Sequence, residues 1–310
     1  MGAWRVVETL ARTGGFGIQV TRRRLLETLQ HFLEVMEDLD SVKPGGKGFV
    51  SSVRVRLLHA TVRRRIMRLE RERPGYFDQQ AWGVPINDLH QMGTVSVYSA
   101  ALIWEAFPRQ GIVLTPQQTA DYLALWRWIG HVLGTPVHWM DTPSRAKAVS
   151  EAIMVSEFEP SRTSQIIANN ILTSQTNVPP LYARREYLAA LTYRLNGNDL
   201  STALAIERPS VYWRALVWVQ CLFLICMGQL YPWMTASQRE RRRKVRWSLR
   251  LVVLYFSLTS PTVSPGHRLQ DDHQPEERRP RRSHQLRVPV RPPIWKIDRD
   301  GRHPQRQGPR

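Results

Sequence analysis

The residues of this chain best suited to chemistry lie in one basic run, RVRLLHATVRRRI, from Arg54 to Ile66. Its one histidine, His59, falls in line with the aliphatic residues of the run rather than with its arginines. On an α-helix these residues form one stripe, because they recur at three- and four-residue intervals. The predicted buried stripe consists of Val55, Leu58, Val62, Ile66 and Leu69. The pattern therefore predicts that the His59 imidazole points inward.

Two arginines flank His59 on nearly the same helix face, Arg56 three residues before it and Arg63 four residues after it. An inward imidazole between two inward-leaning arginines implies a buried anion or a metal nearby. One interpretation is a core histidine that is hydrogen-bonded to a backbone carbonyl, with arginines that extend to the surface. The other is a haem whose iron binds His59 and whose propionates pair with the arginines. Residue types alone favour the first, because buried histidines are ordinary.

Helical periodicity extends through most of the chain and indicates what must position these side chains. Apolar residues recur at helical spacing over residues 21–39 and, after the break KPGGKG, over residues 50–73. Further helices are predicted over approximately residues 88–107, 115–133, 143–158, 161–174, 181–195 and 209–230. No segment shows the alternation that is typical of a strand, so the sequence predicts an all-α fold.

Residues 215–234, ALVWVQCLFLICMGQLYPWM, carry no charge over 20 residues, about the length that crosses a bilayer core of ~30 Å. Two glutamines and Pro232 interrupt this run, so a membrane span and a core helix both remain open for residues 211–234. The basic segment RERRRKVRWSLR follows at once, and an anionic membrane surface attracts such a cluster. A membrane surface is therefore one candidate partner.

The formal net charge of +18 favours acidic partners, but much of the excess lies in this basic segment and in the residues after it. Beyond Pro261 the chain is rich in Pro, Arg and Gln, which predicts a disordered tail over 261–310 after a helical domain over 1–260. Specific nucleic-acid binding is not expected, since no helix-turn-helix, zinc or RNA-recognition signature is present. Cys221 and Cys226 predict neither a disulfide nor a metal site, and no CxxCH motif would attach a haem covalently.

Three ordered blocks carry a resemblance to a known family: RVRLLHATVRRRI, then WGVPIN, then YLALWRWIGHVLGT. They resemble the family that contains fungal ER-bound oxygenases of the mycophenolate-pathway type and the catalytic domain of bacterial rubber oxygenase, the latex clearing protein. The resemblance is strongest over residues 1–175. It implies an all-α fold with a globin-like core that holds a non-covalent b-type haem.

The resemblance also implies roles for individual residues. The histidine of the family's LLHA block is the proximal iron ligand, which places that role on His59. Arg56 and Arg63 match family arginines near the haem and would bind the cofactor. Arg24 and Thr28 resemble an arginine and a threonine on the distal side, where they would act catalytically. His31 shares their helix face, so all three can reach one pocket, although a solvated polar stripe is the alternative.

Several positions depart from the family pattern. Glu27 stands where rubber oxygenases carry a lysine able to bind the iron, so that closed form is not expected. Glu8 is interpreted as an exposed helical carboxylate. The block after WGVPIN is NDLHQMGT rather than NQEDLAGT, and its His90 is interpreted as a surface residue at a helix start in preference to an alternative ligand. His131 is interpreted as a packed histidine. Family members normally have more sequence before the point matching Met1, often with a membrane-anchoring helix.

The expected function is that of a haem-dependent oxygenase that cleaves a C=C bond of an apolar, isoprenoid-type substrate with O2. The alternative is a non-catalytic, membrane-associated member of the same family. An intracellular location is expected, with the endoplasmic reticulum membrane as one candidate site, and no cleavable signal peptide is predicted from the N-terminal residues. The sequence leaves the substrate and the oligomeric state open.

Overall fold

The computed structural model describes residues 3–14, 16–179 and 182–234, and its regular elements are helices. Apart from one isolated bridge between Ala3 and Phe158, these residues contain no β-structure, which confirms the all-α prediction. The segment predicted to be a disordered tail, residues 261–310, lies outside the described residues.

The helices follow the predicted periodic segments closely. They are α1 Trp4–Arg12, α2 Ile18–Val35, α3 Leu39–Val42, α4 Lys47–Glu72, α5 Gln79–Trp82, α6 Asp88–Tyr98, α7 Phe107–Arg109, α8 Pro116–Leu133, α9 Pro143–Glu157, α10 Arg162–Gln175, α11 Arg185–Asn196, α12 Asn198–Ala203 and α13 Val211–Met234. Several of these helices have a side-chain cap at their N-terminus. Asn87 caps α6, and Thr115 and Gln118 form a reciprocal capping box at α8.

Two local features differ from the predicted helix bounds. α1 is not among the predicted ranges, although Trp4, Val7 and Ala11 recur at three- and four-residue intervals and Glu8 was placed on a helix. The single helix predicted over residues 88–107 is interrupted at Ser99, whose backbone leaves the helical region with ψ of −88°. A π-helical turn over Leu102–Ala106 follows, and Pro108, which has no backbone N–H, lies in the next turn.

The main core is built by α2, α6, α8 and α9 with the π-helical turn. Aromatic rings lie at its centre, where Tyr98 stacks on Trp126 with ring centroids 5.5 Å apart and Phe32 packs 6.0 Å from Trp126. Inside the core, Ser96 donates a hydrogen bond of 2.7 Å to Ser150, which joins α6 to α9. The buried apolar residues of this core are Val35, Val42, Val95, Ala100, Ile103, Leu123, Trp126, Ile129, Trp139, Met140 and Ala146.

Helix α4 carries the basic run and lies against α2 and α8. Close contact with α2 depends on Gly48, because a Cβ at this position would come within 2.9 Å of the Val35 Cα. The Ser41 hydroxyl accepts the Gly48 N–H at 3.0 Å, and the Trp128 indole of α8 donates to the Val42 carbonyl at 2.8 Å. The first contact holds the start of α4 to α3, and the second joins α3 to α8.

The predicted buried stripe of α4 is wrong in one member. Ile66 is buried and Val55, Val62 and Leu69 are half-buried, but Leu58 is 53% exposed. The stripe predicted a single buried face, whereas α4 contacts two different helices, α2 and α8. Arg54, Arg64, Arg65 and Arg68 are exposed, as predicted.

A smaller apolar cluster joins α11 to α13 through Ala190, Val217 and Cys221. Several other apolar side chains of α13 are exposed, including Trp218, Val219, Leu222 and Phe223. Within the described part of the chain, no helix combines the length and the apolarity that crossing a membrane requires.

Candidate functional site

His59 lies half-buried on α4, with its Nδ1 atom buried and without a hydrogen-bond partner among the described residues. Burial is the main effect that lowers its pKa, while the hydrogen-bonded Gln91 side chain raises the pKa and the positive charge of Arg63 lowers it further. The folded protein therefore favours a neutral imidazole. At Nδ1, the hydrogen bond to a backbone carbonyl that a core histidine would make is not formed.

A second histidine, His31, lies half-buried on α2 and is close enough to His59 for the two rings to interact electrostatically. Its Nδ1 atom is 2.8 Å from the Ser51 hydroxyl of α4. Burial has the largest effect on the His31 pKa and lowers it, Glu34 raises it, and His59 lowers it. The structure thus brings together two imidazoles that favour the neutral form.

Arg24 and Thr28 precede His31 on α2 but have different surroundings. Arg24 is half-buried, with its guanidinium 6.0 Å from the centre of the Phe16 ring. Thr28 is exposed, and its hydroxyl donates to the Arg24 carbonyl at 2.9 Å. Glu27 is also exposed and pairs with Arg23 at 2.9 Å. Of the predicted distal group, Arg24 and His31 are therefore partly buried, whereas Thr28 faces solvent.

Arg63 is half-buried and binds the backbone of the WGVPIN segment. Its Nε donates to the Pro85 carbonyl at 3.0 Å, and its Nη2 donates to the Ile86 carbonyl. Ile86 has a φ of 54°, a left-handed conformation that a β-branched residue rarely adopts. Two hydrogen bonds from one guanidinium hold this conformation, so Arg63 fastens the segment before α6 to α4.

Arg56 was predicted to lean inward, but it is exposed. Its Nη1 donates to the Val132 carbonyl at 3.3 Å, and the guanidinium lies against Gly134, the left-handed residue that ends α8. A Cβ on Gly134 would come within 3.0 Å of the Arg56 Cζ, so the glycine makes room for the guanidinium. Arg56 can therefore reach an anion from the solvent side.

At the start of α6, the structure shows that the prediction for His90 was wrong and adds Gln91 to the candidate site. His90 is not a surface residue but is only 5% exposed, and burial together with the charge of Arg5 lowers its pKa to about 4. Gln91, which sequence reasoning did not single out, is buried and hydrogen-bonded to His59. The only signal for Gln91 was its place in the altered block, where NQEDLAGT has leucine.

Two further interpretations were wrong. His131, predicted to be packed, is exposed and stacks on Trp128 with ring centroids 5.7 Å apart, because it lies on the outer side of α8. Glu8, predicted to be exposed, is half-buried and pairs with Arg12 one turn later on α1. Arg12 also lies 4.0 Å from the Trp82 ring centre and thereby ties α1 to α5.

The described residues include no group of three or more His, Cys, Asp or Glu that could hold a metal ion. A haem does not need such a group, because the porphyrin supplies four ligands and the protein can supply one imidazole. His59, with a buried Nδ1 that has no partner and a lowered pKa, fits that requirement. Arg56 could pair with a haem propionate, whereas the guanidinium of Arg63 already donates hydrogen bonds to the Pro85 and Ile86 carbonyls.

Comparisons with known proteins identify the family of the chain and do not bear on individual residues. No curated protein and no solved structure matches the chain. Residues 2–226, by contrast, match the sequence model of one family, described as "ER-bound oxygenase mpaB/B'/Rubber oxygenase, catalytic domain". The match covers more than half of the chain and includes α1 to α12 and most of α13. The chain therefore belongs to this family of oxygenase catalytic domains.

Proposed function

We propose that this chain is a haem-dependent oxygenase that cleaves a C=C bond of an apolar, isoprenoid-type substrate with O2. Membership of an oxygenase family supports the reaction class. The observation that carries the haem assignment is His59, a half-buried imidazole that favours the neutral form and lies between His31 of α2 and Gln91 of α6. Neutral imidazole is the form that binds iron.

Bound haem would supply the iron chemistry that activates O2, and the protein residues would position the reactants around it. His59 would hold the iron, and Gln91 would restrict the orientation of the imidazole through its hydrogen bond. Arg24 and His31 would present polar groups on the α2 side, where they can orient a small polar molecule. Thr28 would join them only after its hydroxyl leaves the Arg24 carbonyl.

The two arginines of α4 would have separate roles. Arg56 would balance the charge of a propionate from the solvent side, because only one of its nitrogens donates, at 3.3 Å. Arg63 would act indirectly, since it holds the segment that leads into Gln91. An apolar substrate would bind against apolar side chains near the histidines, and the exposed Leu57 and Leu58 are candidates.

The haem assignment is tested by expressing the full chain with haem supplementation and recording the Soret band. We expect wild type and His131→Ala to bind haem equally, because His131 is a surface histidine on α8. His59→Ala should lose most of the bound haem, or shift its absorption bands if a small ligand replaces the imidazole. Unchanged haem content and bands in His59→Ala would remove the assignment. Metabolite comparison of cells with and without the gene would then identify the substrate.

A second candidate is a non-catalytic, membrane-associated member of the family. It is favoured by the hydrogen bonds of Arg63 to Pro85 and Ile86, which occupy a guanidinium otherwise available to a propionate. Pigment content separates the two candidates. A folded, colourless protein after haem supplementation would favour the second, and a haem-loaded protein would favour the oxygenase.

A further inference from the structure

A cavity of about 300 Å³ lies between the end of α7, α11 and α13. Its walls are mostly apolar and come largely from α13, with Trp218, Val219, Leu222 and Ile225 among them. Gln110, which also contributes to the wall, already donates its side-chain amide to the Ala106 carbonyl at 3.1 Å. The cavity shares no residue with the candidate haem site.

One cationic side chain, Arg194 of α11, enters this apolar wall. Its guanidinium lies 3.7 Å from the centre of the Trp218 ring, and this stacking fixes the plane of the group. The Arg194 Nε atom is buried and has no hydrogen-bond partner among the described residues. A buried guanidinium N–H without an acceptor is unfavourable, so an added acceptor at this point would be stabilising.

Among the described residues no carboxylate forms an ion pair or a hydrogen bond with Arg194, and the two nearest in sequence, Glu186 and Asp199, are exposed. Glu105 accepts from the Arg109 Nη2 atom at 2.5 Å, one turn away on the same stretch of helix. Arg109 in turn donates its Nη1 to the Leu195 carbonyl at the end of α11. Arg109 and Glu105 therefore satisfy each other, and the positive charge of Arg194 remains for an external anion.

From this geometry we propose that the cavity binds a medium-chain fatty acid. The alkyl chain lies against the apolar side chains of α13, and the carboxylate pairs with the guanidinium of Arg194, which lines the cavity. A volume of about 300 Å³ is at the lower end of ligand pockets, which span about 300–1,000 Å³, and so suits one short chain rather than a polymer. Planar carboxylate recognition is the geometry for which a guanidinium is best suited.

Calorimetric titration of the full chain with decanoate and with decanol tests the proposal, because the two ligands share a chain and differ in charge. We expect decanoate to bind at least about tenfold more tightly than decanol. Arg194→Gln should reduce decanoate affinity to the level of decanol. Arg184→Gln, which changes an exposed arginine at the start of the same helix, should leave the affinity unchanged.

A second variant tests the location without altering charge. Leu222 lines the cavity and is 60% exposed, so Leu222→Trp should fold normally and obstruct the space. We expect this variant to lose decanoate binding by about tenfold or more, with circular dichroism confirming its helix content. The proposal is overturned if decanoate does not bind, if decanol binds equally well, or if either Arg194→Gln or Leu222→Trp retains wild-type affinity. None of these outcomes depends on haem.

Discussion

The polar residues around His59 differ in what each one contacts, and these contacts separate chemical from structural roles. The His59 and His31 rings are close enough to interact electrostatically, and burial lowers the pKa of both. Arg63 lies one turn from His59, but its guanidinium donates hydrogen bonds to the Pro85 and Ile86 carbonyls. A residue close in sequence to His59, the proposed iron ligand, therefore does not necessarily contact the cofactor.

Replacing Arg63 should reveal its structural role. We expect Arg63→Ala to keep the helix content but to lower the free energy of unfolding by about 1–3 kcal/mol, because two carbonyls lose a charged donor. Haem retention should also weaken, since the segment leading to Gln91 loosens. Arg64→Ala, at an exposed position, should change stability by less than about 0.5 kcal/mol. Urea unfolding and haem titration measure both, and equal behaviour of the two variants would make Arg63 a simple surface charge.

His90 should make stability depend on pH. Its pKa is lowered from 6.5 to about 4 in the folded protein, so the unfolded chain binds more protons between these values. Stability therefore falls as the pH falls through this window, by up to ~3 kcal/mol from this residue. Burial is the main cause of the lowered pKa, and the positive charge of Arg5 of α1, which is paired with Glu157 of α9, adds to it.

Comparison of wild type with His90→Gln measures this contribution. Unfolding free energies at about pH 7 and pH 4.5 should differ less in the variant, because glutamine does not titrate. His31 and His59 will leave some slope in both proteins, since burial lowers their pKa values too. Identical slopes in the two proteins would show that His90 does not titrate in this range.

At the scale of elements, the site depends on how closely α4 approaches α2. The His31–Ser51 hydrogen bond joins the two helices, and Gly48 allows the contact nearby. At Gly48 a Cβ would meet the Val35 Cα and the Glu34 carbonyl oxygen, each at 2.9 Å, and backbone atoms cannot move aside cheaply. The distance between the two histidine-bearing helices is therefore set by a residue with no side chain.

Substituting this glycine should move the helices apart. We expect Gly48→Ala to cost about 1–3 kcal/mol of stability, as overpacking usually does, and to weaken haem binding. Gly93→Ala in α6 is the matched control, because its Cβ would make an ordinary contact of 3.5 Å with Ile153. That variant should be neutral or more stable by up to about 1 kcal/mol. Thermal unfolding of both variants measures these changes in stability. Wild-type stability in Gly48→Ala would contradict the close contact between α4 and α2.

At the scale of the whole molecule, positive charge is distributed unevenly. Residues 1–234 hold 25 Lys and Arg against 19 Asp and Glu, whereas residues 235–310 hold 19 against 7. Two thirds of the net charge of +18 therefore lies in the last quarter of the chain. The most basic part follows directly after α13, whose surface includes the exposed apolar side chains Trp218, Leu222 and Phe223.

This arrangement predicts binding to anionic membrane surfaces. The full chain should bind phosphatidylserine-containing vesicles and bind phosphatidylcholine vesicles much less. Replacing Arg241, Arg242 and Arg243 by Gln should weaken binding by about 3 kcal/mol, since each basic residue near such a surface contributes about 1 kcal/mol. High salt should have a similar effect, because it screens surface charge. Vesicle cosedimentation measures this, and equal binding to both lipids would contradict it.

The sequence by itself determined the helical architecture, the exposed arginines of α4 and the family. Each of these depends on local information: periodicity of 3.6 residues marks a helix wherever it occurs, and three short ordered blocks identify the family. The half-buried position of His59 also follows from its place among aliphatic residues of one helix face.

Only the tertiary structure decided what surrounds these residues. Leu58 is exposed, His90 is buried and His131 faces solvent, because burial depends on which helices pack beside each position. The partners of Arg63 lie 22 and 23 residues away in sequence, and the carbonyl bound by Arg56 lies 76 residues away. Such contacts form only when distant segments meet, and no periodicity within a single helix specifies them.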